Sequence, residues 1–123
     1  MARCLQVVTT IDTREHAHSI GKKLLEKRLA ACVQIEGPIS SSYWWKGEVE
    51  TAEEWRCIIK TIVEKYDEVE RTVRSIHPYE EPEIVGFTIT AGSSTVGSRN
   101  YGRCFPETLA TSFPGCSVLS SLR

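Results

Sequence analysis

Two prolines four residues apart, Pro78 and Pro82, stand inside the run Ile76-His77-Pro78-Tyr79-Glu80-Glu81-Pro82-Glu83-Ile84. Each fixes its own φ and lacks an N–H donor, so neither a helix interior nor a central strand accepts the pair. The run therefore reads as a stiff link, with a helix ending before it and a strand starting after it. It also carries an imidazole, a phenol and the carboxylates of Glu80, Glu81 and Glu83. Polar groups on a rigid connection between packed elements are a common seat of function. A helix-to-strand link with solvated acids is the plainer alternative, and the run by itself leaves both open.

The flanks agree with that reading. Tyr66, Val69, Val73 and Ile76 recur at helical spacing, predicting a helix from Val63 to Ser75, and Ile84 to Thr90 reads as a strand. Upstream, Leu5 to Ile11 is rich in β-branched residues and predicts a strand buried on both faces. Asp12-Thr13-Arg14-Glu15 has the form of a capping box with Asp12 as the cap. Ala17, Ile20, Leu24 and Leu25 then mark one face of a helix over Thr13–Arg28. Ala30 to Glu36 alternates as a strand, Gly37-Pro38 predicts a bulge or break, and Ile39 to Trp45 resumes an extended pattern. After the turn Lys46-Gly47-Glu48, the stretch Trp55 to Ile62 alternates again, completing a long hairpin.

The order is β-α-β-β-α-β, an α+β class and a ferredoxin-like sandwich with an antiparallel sheet. Right-handed crossovers put both helices on one sheet face. The other face is bare yet receives apolar residues from several strands, and other copies of the chain are its simplest cover.

At 123 residues the chain is a single domain, with a core over residues 4–90. Residues 91–123 are rich in Gly and Ser, hold one carboxylate side chain (Glu107) and predict an irregular tail. The net charge of −1 argues against nucleic acid or an anionic membrane surface as partner. No apolar run is long enough to span a bilayer. Met1-Ala2-Arg3-Cys4 lacks the apolar core of a secretion signal, which predicts a cytoplasmic protein. Five widely spaced cysteines without a C-x-x-C indicate reduced thiols, not a disulfide framework or structural zinc site.

Cys32 and His77 are the soft-metal candidates, a thiolate and an imidazole suiting copper or zinc. Equally, Cys32 reads as a strand cysteine and His77 as a cap on the last helical carbonyls. As nucleophile and base they lack a glycine elbow, an oxyanion turn and a third orienting residue, so a non-enzymatic protein is expected. Lys60, mid-strand, predicts a buried pair with Glu83; its alternatives are a stem laid on apolar surface or a cation awaiting a small anion. Tyr43, Trp44 and Trp45 suit a core or subunit contact better than base stacking, having no basic groove around them.

The segments LAACVQI (Leu29–Ile35), YWWKGEVE (Tyr43–Glu50), IIKT (Ile58–Thr61) and HPYEEPEI (His77–Ile84) together resemble the CutA family, named for divalent-ion tolerance. The resemblance implies a ferredoxin-like subunit in a tight homotrimer, similar in assembly to PII signalling proteins, with long hairpins extending neighbouring sheets. Tyr43 and Trp45 would then be trimer contacts. It implies binding of copper or another divalent metal ion, with Cys32 and His77 at positions matching family ligands. Animal relatives are associated with anchoring acetylcholinesterase, so a scaffold for another protein is one alternative. A PII-like trimer sensing a small anion in the intersubunit cleft through Lys60, Tyr79 and Glu83 is the other. The tail departs from the family pattern: Gly97-Ser98-Arg99-Asn100-Tyr101 echoes a turn, but no Trp-Ile pair follows, and Gly102 and Pro106 oppose a closing helix.

Overall fold

A computed structural model of the chain describes residues 3–92. The expectations for the tail, including the turn at Gly97–Tyr101, Cys104 and Cys116, fall on residues outside that range apart from the first two. Strand β1 (Cys4–Ile11) leads into helix α1 (Arg14–Glu26). The cap is Thr13, not Asp12. Thr13 is extended (φ −135°, ψ 156°) and its hydroxyl accepts the His16 N–H, while the Asp12 carboxylate takes the His16 Nδ1 at 2.6 Å. Both residue types cap well, so the sequence left the helix start ambiguous by one position. At the other end Arg28 turns to φ 55°, and the N–H groups of Arg28 and Leu29 close back on the carbonyls of Leu25 and Leu24. That is a Schellman ending made without glycine.

Strands β2 (Cys32–Trp45) and β3 (Glu48–Ile62) form the predicted hairpin. Its tip, Lys46 (φ 50°) and Gly47 (φ 82°), has the paired positive φ of a two-residue turn whose twist matches the strands. The expected irregularity is present: the Gly37-Pro38 peptide is cis and the register shifts between Glu36 and Ile39. A side chain at Gly37 would put its Cβ 2.6 Å from Trp55 Cδ1, so only glycine fits there. A 3-10 turn over Val63–Lys65 precedes α2 (Tyr66–Ile76), which starts three residues later than its apolar spacing suggested. Strand β4 (Ile84–Ile89) closes the fold. None of the described helices is long and apolar enough to cross a membrane.

The sheet order is β2-β3-β1-β4, antiparallel throughout, which is the ferredoxin-like arrangement. Leu5, Val7, Thr9 and Ile11 of β1 stand opposite Thr61, Ile59, Cys57 and Trp55 of β3 on the helix side. There they meet Ala17, Ile20 and Leu24 of α1 and Val69 and Val73 of α2 in one core. The buried Thr61 hydroxyl donates to the Leu29 carbonyl at 2.7 Å, tying β3 to the chain after α1.

On the other face lie Gln6 and Val8, Ile58 and Lys60, Cys32 and Gln34, and Val85 and Phe87. The expectation that β1 is buried on both sides is corrected here: within one chain Gln6, Val8 and Thr10 are only half-buried. Pairing of β1 with β3 stops at Ile11 and Trp55, whereas β2 and β3 stay paired out to Trp45 and Glu48. Beyond the body the hairpin is therefore a two-stranded arm.

Candidate functional site

The link between α2 and β4 packs where the arm leaves the body. His77, next before Pro78, is extended (φ −75°, ψ 134°), as a residue preceding proline prefers, and it ends α2 with its N–H on the Val73 carbonyl. The residue is 8% exposed. Nδ1 lies 3.2 Å from the Tyr79 backbone nitrogen and Nε2 lies 2.9 Å from the Thr10 carbonyl oxygen. A backbone N–H only donates and a carbonyl only accepts, so these partners assign the tautomer: Nδ1 holds the lone pair and Nε2 the proton. Burial pushes the His77 pKa down, opposed by the Thr10 carbonyl and the charges of Asp12 and Glu54. The neutral ring is the resting form.

Tyr79 tilts against His77, with ring centroids 4.7 Å apart. Its hydroxyl donates to Glu54 Oε2 at 2.8 Å. Burial first, and the Glu54 carboxylate second, push the phenol pKa well up. Glu54 itself is 8% exposed. Sequence reasoning missed Glu54, and no local signal marks it out: it follows Glu53 in an acidic stretch, and only the packing of Tyr79 separates a buried acid from a solvated one.

The other candidates do not converge on this corner. Cys32 lies opposite Lys60, and Lys60 opposite Gln6. Thr10, which holds His77, lies opposite Arg56, four residues along β3 from Lys60. That separation is about 13 Å along the strand, with two strands still to cross. Cys32 and His77 therefore do not meet within one chain. Among the described residues no cluster of three His, Cys, Asp or Glu side chains is placed to hold a metal ion. Cys32 is a free, half-buried thiol, but both His77 nitrogens are committed, so the pair does not fit as an intrachain ligand set.

The expected Lys60–Glu83 pair is likewise not formed within one chain. The register sets Lys60 beside Gln6 and Gln6 beside Phe87, while exposed Glu83 precedes Ile84, the partner of Thr9. Lys60, Tyr79 and Glu83 thus line no common cleft in one subunit. On the bare face Glu36 and Arg56 form an exposed ion pair across β2 and β3. Along the arm Tyr43, Trp44 and Trp45 stand exposed, Trp44 by 75%, with Lys46 Nζ 5.6 Å from the Trp45 ring centroid.

The family model described as CutA1 divalent ion tolerance protein matches residues 5–97. The divalent-cation tolerance protein CutA of Thermotoga maritima is 49% identical over 78 residues, covering 63% of this chain and 76% of that one. Its counterpart in Archaeoglobus fulgidus is 44% identical over 86 residues, covering 70% and 83%. Among solved structures, the divalent cation tolerance protein of Thermus thermophilus superposes with a TM-score of 0.72 at 38% identity, covering 73% of this chain and 87% of that one. CutA1 from Oryza sativa superposes with a TM-score of 0.73 at 33% identity, covering 75% and 84%. With the fold shared by these structures and the family model matched over most of the chain, this chain belongs to the CutA1 divalent ion tolerance family.

Proposed function

We propose that the chain is a non-enzymatic binder of copper or another divalent metal ion, acting in metal tolerance as a homotrimer, with the ion held between subunits. The observation that carries this reading is the position of Cys32. Its half-buried thiol lies on the sheet face that neither described helix covers, beside Lys60, where a second copy would complete a ligand set. Cys4 and Cys57 are fully buried, and burial pushes the Cys57 thiol up to about 11, which suits them to packing. A thiolate favours copper or zinc over magnesium or calcium. The apolar residues Ile58, Val8 and Val85, which share this sheet face with Cys32 across the other strands, support self-association.

Titration calorimetry with Cu(I), Cu(II) and Zn(II) tests the reading, on the wild type and on Cys32→Ser. Binding tighter than millimolar that weakens in Cys32→Ser is expected, together with about three chains per particle in sedimentation equilibrium. Equal affinity in Cys32→Ser sinks the ligand assignment, and a clean monomer sinks the shared site. The small-anion reading has less support, because Tyr79 already gives its hydroxyl to Glu54.

A further inference from the structure

Three changes coincide at the root of the arm. Pairing of β1 with β3 ends at Ile11 and Trp55, β2 shifts register between Glu36 and Ile39, and Glu54 is the next residue of β3 outward. A two-stranded ribbon beyond such a joint has few contacts to fix its direction. Here the link supplies them. The imidazole binds it to the body: β4 pairing stops at Thr9 and Ile84, and one residue further His77 Nε2–H takes the place of a strand on the Thr10 carbonyl. The phenol binds it to the arm through Glu54. The Tyr79 N–H on His77 Nδ1 joins the two ties, and Pro78 stiffens the backbone between them.

We propose that His77 and Tyr79 form a latch that sets the direction in which the arm leaves the sheet, and that His77 belongs to this latch and not to a metal ion's ligand shell. A metal on either ring nitrogen needs a lone pair. Nε2 carries its proton towards Thr10, and the Nδ1 lone pair is taken by Tyr79. Metallation would break one tie or the other, swing the link away and leave the Glu54 carboxylate buried without its donor, which is costly. The arm carries the exposed aromatics Tyr43, Trp44 and Trp45, so its direction decides what surface a partner subunit meets. His77 and Tyr79 are in this sense positioning residues, and the inference does not depend on any cation being bound.

Hydrogen exchange on the full chain tests it, with Tyr79→Phe and Glu54→Gln beside the wild type. Losing the phenol should speed exchange of the arm amides over residues 39–54 about tenfold, leaving Val7 and Ile59 unchanged. Glu54→Gln keeps an oxygen acceptor for the phenol and should stay near the wild type. In parallel, the 15N resonances of the His77 ring should report the Nε2–H tautomer and stay fixed as Zn(II) is added. Unchanged arm exchange in Tyr79→Phe overturns the latch, and so does equal acceleration of body and arm. A Zn(II)-induced shift of either ring nitrogen overturns the exclusion of metal. A protein that gives no heat with any of the three ions loses the cation reading and keeps the latch, because the exchange readout involves no metal.

Discussion

The two faces of this sheet are made from alternate residues of the same strands, yet the described helices cover only one of them. Val7, Cys57 and Ile59 are fully buried beneath the helices, whereas one residue along Val8 and Ile58 are half-buried and Phe87 is 54% exposed. The covered face finds its cover nearby in sequence, at α1 and α2, so its closure is intramolecular and independent of concentration. If copies of the chain associate through the bare face, as proposed above, whatever it contributes varies with protein concentration by mass action. A mutation's effect should therefore depend less on residue type than on the face that it strikes.

The largest effect should follow Ile59→Ala on the covered face. Emptying a fully buried site between β1, β2 and the helices costs about 2–5 kcal/mol, read from the midpoint of denaturant unfolding. Phe87→Asp on the bare face should instead leave the fold of each chain intact and weaken self-association at least about tenfold, as loss of an interface anchor does. Sedimentation and circular dichroism together separate the two outcomes. If Phe87→Asp unfolds the chain as strongly as Ile59→Ala, the contrast between faces collapses. On α1, away from both faces, Thr13→Ala should cost about 1 kcal/mol because the His16 N–H loses its cap. Asp12→Ala should stay within about 0.5 kcal/mol, since its contact with His16 is exposed.

The smallest effect is a pH slope. Burial places the folded pKa of His77 below its unfolded value, so between the two the unfolded chain binds more protons and stability rises with pH. The contribution is complete above the unfolded pKa of about 6.5 and is lost as pH falls through the folded value. Melting temperatures from pH 8 down to pH 5 should fall in the wild type and fall less in His77→Gln. An equal slope in the two proteins would remove His77 as its source.

Periodicity made most of the fold legible. Alternation at Val33 and Ile35 and at Cys57 and Ile59 placed each residue on its face, and Gly37-Pro38 announced the break in β2. What pairing decides was not legible. Lys60 and Glu83 looked like partners because a mid-strand lysine is rarely buried unless a carboxylate meets it, and Glu83 stands at the start of the strand after the link. Their distance, however, is set by two successive registers that no single segment encodes. The same holds for the site. His77 and Tyr79 stood out as polar groups on a stiff link, but their partners are a carbonyl at Thr10 and a carboxylate at Glu54, far off in the chain. A backbone carbonyl leaves no mark in a sequence at all.

The strand order has a consequence for how the protein is made. β1 precedes the other described elements along the chain, yet it lies in the middle of the sheet between β3 and β4, the third and fourth of the described strands to emerge. A nascent chain that has left the ribosome only as far as α1 holds an apolar strand with no neighbour on either side. The first neighbour arrives with Ile62 and the second with Ile89. Closing such long loops before any pairing is gained slows folding. Throughout that interval the most buried of the described strands stands exposed, open to association with other nascent chains until β4 is delivered.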